Sequence, residues 1–183
     1  MAIKTSMYAI PTDELTVTDI RGFRAAALEA AELMARDRIA AGGEYIARAP
    51  QNVADFGCAL DQWNTAALAI INTPYTVFQA IAAPAVGARQ VIVWYKVSIY
   101  TPNVPVSLLT FQEGAAGRTT FAVLDLEQMY SKLQTDAYFS EPVLYPPNAV
   151  QLIQVTSTIA TLAVCRVVLG GFIIEPVGPQ ISG

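Results

Sequence analysis

Gln90-Val-Ile-Val-Trp-Tyr-Lys-Val-Ser-Ile-Tyr100 is the stretch whose reading decides the rest of the chain. β-Branched and aromatic residues dominate it, as a pleated strand requires. Strict alternation puts Val91, Val93, Tyr95, Val97 and Ile99 on one face, with Ile92, Trp94, Lys96, Ser98 and Tyr100 on the other. One face is wholly apolar and the other only half polar, so the strand needs cover on both sides. Toward the C-terminus, Thr101-Pro-Asn-Val-Pro105 turns the chain and residues 106–111 run back. Glu113-Gly-Ala-Ala-Gly-Arg118 then makes a glycine-containing link to a strand over 119–126. Further strands are predicted over 137–144, ended by Tyr145-Pro-Pro-Asn148, over 149–156, and over 160–175, where Gly170-Gly171 favours a bulge or bend.

With a first strand over 75–81, these runs make about seven or eight strands separated by turn signals and no long helical pattern. The count fits a mainly β fold, an antiparallel jelly-roll-like sandwich, with an immunoglobulin-like sandwich as the close competitor. The length of the strands beginning near Gln90 and Ala160 favours the jelly roll. So does Leu126-Glu-Gln-Met-Tyr-Ser-Lys-Leu133, which reads as a crossing connection between sheets. The organisation expected is an N-terminal arm, one α-helix and a connecting segment over 1–74, followed by the sandwich over 75–183.

The helix is predicted from Thr16-Val-Thr-Asp19, which fits a capping box. From there Ile20, Phe23, Ala27, Ala31 and Met34 share a face, Arg24, Glu29, Glu32 and Arg36 lie largely outside it, and Gly42-Gly43 supplies a stop. An alanine-rich face permits close packing, either on the body of the same subunit or on a neighbour. Residues 1–18 lack a periodic apolar array, so they are expected to form an irregular arm that orders only against a neighbouring chain. Between 44 and 73, Asn52 to Trp63 suits either a short helix or a loop followed by a strand, and periodicity does not classify the apolar run 66–71. Pro50 and Pro74 mark junctions on either side.

Composition narrows the function classes. Charged residues are 14% of the 183, against about 25% in ordinary globular domains, while apolar types reach 54%. Mean hydropathy is +0.40. Such a chain has little material for a solvated surface, so it is either a membrane protein or much of it is covered by other subunits. The longest uncharged runs, 62–88 and 142–165, are broken by Pro74, Pro84, Pro146 and Pro147 and carry Gln, Asn and Thr, which a spanning helix of about 20 apolar residues does not tolerate. No secretion signal is read at Met1-Ala-Ile-Lys-Thr-Ser-Met7, so a protein made and used without secretion is expected. Net charge −4 and scattered basic residues argue against nucleic acid as a partner. Cys58 and Cys165, far apart, read as buried thiols rather than a disulfide.

The chemistry is read by elimination. There is no histidine, hence no Ser-His-Asp triad and no histidine-ligated metal, and no nucleophile elbow, Walker loop or dinucleotide fingerprint occurs. Gly114-Ala-Ala-Gly117 joins two strands and lacks the Lys-Ser/Thr and helix of a phosphate loop. Asp125 with Glu127, and Asp136 with Glu141, are the carboxylate pairs from which a glycosidase or calcium site would have to be built, but their spacing matches no motif. No catalysis, cofactor or metal is therefore expected. Trp63, Tyr75, Trp94, Tyr95, Tyr100, Tyr130, Tyr138 and Tyr145 could line a sugar platform or serve as interface anchors, and those on strands suit the sandwich core better. Tyr130, Tyr138 and Tyr145, near turns and prolines, suit subunit contacts.

An N-terminal arm and helix, then an apolar, charge-poor jelly-roll-like domain marked by Tyr145-Pro-Pro-Asn148 and Gly170-Gly171, resembles the small capsid decoration, or cement, proteins of tailed bacteriophages. The resemblance is architectural and rests on no diagnostic motif. It implies a virion structural protein on the capsid surface, a homo-oligomer, expected as a trimer, that bridges subunits of the major capsid protein. It places Tyr8, Ile20, Phe23, Met34, Tyr130, Tyr138 and Tyr145 at interfaces. Another minor coat or tail-associated virion protein fits the same residues. A carbohydrate-binding jelly-roll module is the alternative from a different class.

Overall fold

The strand read first sits near the middle of one half of the sheet. The computed structural model describes residues 5–39, 44–58, 63–78, 84–100, 106–114, 119–132 and 134–177. In chain order its elements are β1 (Thr5–Pro11), a 3-10 turn (Thr12–Glu14), α1 (Val17–Arg38), β2 (Tyr45–Arg48), α2 (Asn52–Phe56), β3 (Asn64–Ala67) and β4 (Pro74–Thr76). They continue with β5 (Val91–Ile99), β6 (Val106–Glu113), β7 (Thr119–Asp125), α3 (Glu127–Lys132), β8 (Asp136–Tyr145), β9 (Gln151–Ser157) and β10 (Val164–Pro176). The strands hydrogen-bond in the order β2-β10-β5-β8-β1-β7-β6-β9-β4, with β3 also beside β10. The fold is mainly β, a curled, jelly-roll-like sandwich with one main helix. The short α3 carries the chain from β7 on one sheet to β8 on the other, as the crossing segment predicted.

The largest departure from expectation is at the N-terminus. Residues 5–11, read as part of an irregular arm, form an internal strand. Its first half runs parallel to β7, pairing Thr5 with Ala122 and Tyr8 with Asp125. Its second half runs antiparallel to β8, pairing Ala9 with Phe139 and Pro11 with Ala137. β1 thus belongs to both sheets and makes the corner between them, and its parallel pairing is the exception in an otherwise antiparallel set. Met7 and Ala9 are buried while Tyr8 points out, a period-2 pattern that seven residues display only weakly. The predicted dependence of this segment on a neighbouring chain is corrected accordingly: its partners are strands of its own chain. β1, β2 and β3, all N-terminal to residue 75, share the sheet with the later strands.

The two-sided apolar strands are largely covered from within. Inside the curl lies the main core, with Trp94, Leu109, Phe111, Leu124, Phe139 and Ile153 among its buried members, and Cys58 and Cys165 are buried there as thiols. Outside, α1 lies across β5, β8 and β10, and Ala27, Ala31, Ala35 and Ile39 pack on Val91, Val93, Phe172 and Ile174. The small alanines bring the helix axis close to the sheet. Thr16 and Asp19 form the reciprocal capping box that starts the helix: Asp19 N–H donates to Thr16 Oγ1 at 3.2 Å and Thr16 N–H to Asp19 Oδ2 at 2.8 Å. The helix ends at Arg38 with Ile39 as its cap. Gly42-Gly43, the predicted stop, lies outside the described residues.

Strict alternation also fails within β5. The register against β8 shifts between Trp94 and Lys96, and the register against β10 shifts between Gly170 and Gly171. One extra residue reverses parity. Val91 and Val93 therefore pack under α1, whereas Val97 and Ile99, predicted on the same face, join Ile92 and Trp94 in the main core. Gly171 is what the bulge requires, because a Cβ there would overlap the Val93 carbonyl oxygen and lie 2.6 Å from Trp94 Cε3. In the region periodicity left open, residues 52–56 are helical, stopped by Gly57 at φ +63°, and the run 66–71 splits between the end of β3 and a turn. The strand predicted over 75–81 is the shorter β4, and residues 79–81 lie outside the described set.

Candidate functional site

Of the residues expected at interfaces, Tyr145 is corrected outright. It closes β8 facing the main core, fully buried, with its hydroxyl donating to the Gln112 carbonyl at 3.1 Å and its ring edge-on to Phe121. Burial pushes that hydroxyl's pKa far up. Tyr138 is buried too, stacked on Phe23 of α1 with ring centroids 5.6 Å apart and with Lys96 Nζ 5.8 Å from its ring centre. Phe23 is thereby occupied by its own sheet, and Met34 and Ile20 are half-buried along the same helix face. Proximity to a turn did not place these aromatics outside, because the strand ends themselves face inward. Tyr8 is exposed, its N–H donating to Ser140 Oγ at 3.3 Å. Tyr130 falls in α3, and its side chain lies outside the described residues.

The carboxylates raised as catalytic material are engaged in local structure. Asp125 Oδ1 accepts the Glu127 N–H at 2.8 Å and so helps to start α3. Asp136 lies 2.7 Å from Lys96 Nζ and accepts from Ser98 Oγ at 2.6 Å. Glu141 is exposed on β8. Among the described residues no cluster of three or more His, Cys, Asp or Glu is placed to hold a metal, and no helix is long and apolar enough to cross a membrane.

The strongest electrostatic assembly ties β2, α2 and β10 together. Arg48 grips Asp55 with two bonds of 2.8 and 2.6 Å and reaches Glu175 at 3.0 Å, while Gln90 Nε2 donates to the other Glu175 oxygen at 2.8 Å. Burial pushes the Asp55 carboxyl up, but the Arg48 bonds, the Gln51 N–H and the guanidinium charge outweigh it and hold the group below the usual carboxylate range. Asp136 is also held low, burial being outweighed by Lys96 and Ser98. A depressed folded pKa gives stability that is fully present above the unfolded value, near ~3.9, and is lost as pH falls through the folded value. Asp55→Asn is therefore expected to lower stability at neutral pH by about 2 kcal/mol, the scale of a charge-assisted hydrogen bond, and to flatten the decline below that range. Urea midpoints between pH 7 and pH 2 check both.

Two surface features bear on function. A cleft of about 370 Å³ opens between the first turns of α1 and the sheet, lined by Asp19, Gly22, Phe23, Tyr95, Phe139 and Ser140 among others. It is mostly apolar, and the Asp19 carboxylate at its rim is taken up by the Thr16 cap.

The second feature is an end of the sandwich where the connection from β3 to β4 lies against the connection from β9 to β10. Leu68 N–H donates to the Ala163 carbonyl at 3.1 Å, Thr161 N–H to Leu68 at 2.7 Å and Asn72 N–H to Ser157 at 2.9 Å. Ser157 Oγ donates to the Ile70 carbonyl at 2.6 Å. With these backbone groups paired to each other, apolar side chains are left facing out: Leu162 at 89% exposure, and Ile70, Ile71, Ile159 and Val164 between 41% and 61%. Residues 63–78 and 157–165 contain no charge. Sequence reasoning passed over these positions, using the uncharged runs against a membrane helix and leaving 66–71 unclassified. The available signal was two turn-flanking segments without one charged residue. No known family model matches the chain, and no curated protein is similar to it.

Proposed function

We propose that the protein is a virion structural protein of the capsid-decoration kind, acting as a homo-oligomer that binds the major capsid protein on the outside of a shell. The observation that carries this reading is the end where Ile70, Ile71, Ile159, Leu162 and Val164 stand exposed along two connections whose residues, 63–78 and 157–165, contain no charge. The low charge of the whole chain and a sandwich whose carboxylates serve structure support it. The packing of α1 on its own sheet removes the helix's alanine face from the candidate contact surfaces. Particles from cultures producing the chain, banded on a density gradient, test the reading. The chain is expected to co-migrate with the shells and to be stripped by mild denaturant with the shells intact. Recovery wholly in the unassembled fraction overturns it.

The cleft under α1 is what favours the second reading, a carbohydrate-binding module, since Tyr95 and Phe23 offer rings and Ser140 a hydroxyl. It ranks below because the lining is mainly apolar and its carboxylate is already engaged in the helix cap.

A further inference from the structure

We infer that the cleft between α1 and β8 is a binding site for a small organic cation, an ammonium group carried on an apolar, ring-bearing body. The site is separate from the apolar end, and its occupancy does not bear on the decoration reading. At about 370 Å³ the cleft has the size of a small-molecule site, and like such sites it is lined mainly by apolar groups with a few polar ones. Two features of the chain keep it open. Gly22 of α1 lines it, and a Cβ built there meets no neighbouring atom within 4 Å. Glycine inside a helix is less favourable than alanine, and here no contact of the fold calls for it. On the other wall β8 leaves its ladder: Lys96 pairs with Tyr138 and Trp94 with Val143, so residues 139–142 stand opposite Tyr95 alone, and β1 pairs with β8 no further than Phe139.

What selects a cation is the balance of charge and hydrogen-bonding groups. The Thr16 cap uses only Oδ2 of Asp19, which accepts the Thr16 N–H at 2.8 Å and the Thr16 hydroxyl at 2.6 Å, while Oδ1 has no hydrogen bond among the described residues. Those bonds hold the Asp19 carboxyl below the usual carboxylate range, so the rim is anionic at neutral pH. None of the described lining residues is a lysine or arginine. The two cations that act on Tyr95 are turned to other partners: Lys96 Nζ lies 2.7 Å from Asp136, and Arg24 lies 5.3 Å from the ring centre of Phe172. The partial positive charge of the helix start, which favours anions, is opposed by Asp13, Glu14 and Asp19 around it. Residues 140–142, left by the register without a strand partner, bring a carbonyl each, whereas Pro142 brings no N–H. Phe23, half-buried with its ring stacked on Tyr138, joins Ala26 and Pro142 in an apolar wall for the body of the ligand. An aromatic ring beside a carboxylate suits an alkylammonium ion. An anion is repelled by Asp19, and a sugar meets the hydroxyls of Ser140 and Tyr95 but leaves the charge unmatched.

Proton–nitrogen NMR correlation spectra of the full chain, titrated with 2-phenylethylammonium chloride, test this. Amide shifts are expected at Thr18, Asp19, Gly22, Tyr95 and Ser140, with a Kd of about 1 mM, as an ion of this size allows. Its neutral counterpart 2-phenylethanol is expected to bind about 10-fold more weakly, through loss of the charge-assisted bond, and phenylacetate not at all. Asp19→Asn is expected to bring the amine to the affinity of the alcohol and to leave the alcohol's own affinity as it was, which a loosened helix cap alone does not do. Gly22→Leu fills the cleft and is expected to abolish the shifts while the unfolding temperature holds or rises, since the added side chain enters open space on a helix. Shifts confined to other surfaces, or none at any soluble concentration, overturn the site. So does a Gly22→Leu protein that melts as the wild type and binds as tightly. Equal affinities of amine and alcohol for the wild type overturn the cation, and methyl glucoside binding more tightly than either overturns it in favour of the sugar-binding reading.

Discussion

Deleting residues 1–11 is expected to abolish cooperative unfolding of the whole sandwich. β1 bonds to β7 through Thr5 to Tyr8 and to β8 through Ala9 to Pro11, so its removal separates the two sheets at their shared corner. Ladder hydrogen bonds contribute about 1 kcal/mol each, and burial of Met7 adds about 2 kcal/mol. Together these approach the roughly 5–15 kcal/mol by which a domain of this kind is stable at all. The deletion also bares the edges of β7 and β8, which become templates for strand addition between molecules. Near-ultraviolet circular dichroism should be lost and the truncated chain should aggregate. A truncated protein that melts at the wild-type temperature would show that β1 is dispensable.

The second large effect is expected at neighbouring glycines that a sequence treats alike. Gly171→Ala places a methyl group against the Val93 carbonyl oxygen and 2.6 Å from the Trp94 ring. Neither can yield cheaply. Val93 is held in the β5–β10 ladder, and Trp94 is fully buried beside Phe56, Trp63 and Phe78, with its indole N–H on Gln151 Oε1 at 3.4 Å. The cost should be about 3 kcal/mol or more. Gly170→Ala meets only the Lys96 side chain, 3.0 Å away at its Cβ. That strain is partly offset by the smaller entropy of the unfolded chain, leaving a loss of about 1 kcal/mol or less. Denaturant midpoints of the two variants, measured side by side, should differ plainly, and equal midpoints would refute the steric account of the bulge.

What could be read from the sequence was what local periodicity and local chemistry determine. β5 to β10 follow runs of β-branched and aromatic residues between turn residues, and α1 begins where Thr16 and Asp19 cap it. Gly170-Gly171 marked the irregularity in β10. What could not be read depends on distant partners. Thr5 to Pro11 has a weak pattern of its own and becomes a strand because residues 122–125 and 137–139 offer it edges. The inward turn of Tyr145 follows from the register of β8 against β5, which its neighbours Pro146 and Pro147 do not reveal. The apolar end was equally hidden, since its exposed residues come from two connections that are adjacent only once β3 pairs with β10. Two-sided apolarity, taken from sequence as a sign of covering subunits, proved to be answered in large part by the chain's own helix.

The position of β1 also sets an order of events in time. It is synthesised well before its partners, β7 and β8, which are completed only when Tyr145 has been added. Until then α1 likewise lacks β8 and β10, two of the three strands it lies across. The nascent chain must carry an unpaired strand and a helix with an apolar face until β7 and β8 have been added, and closure of the sheet waits on contacts of very long sequence separation. Where unfinished chains are close together, a waiting β1 can find the same two edges on another copy, so partner exchange through this strand is the hazard this topology brings to folding at high concentration.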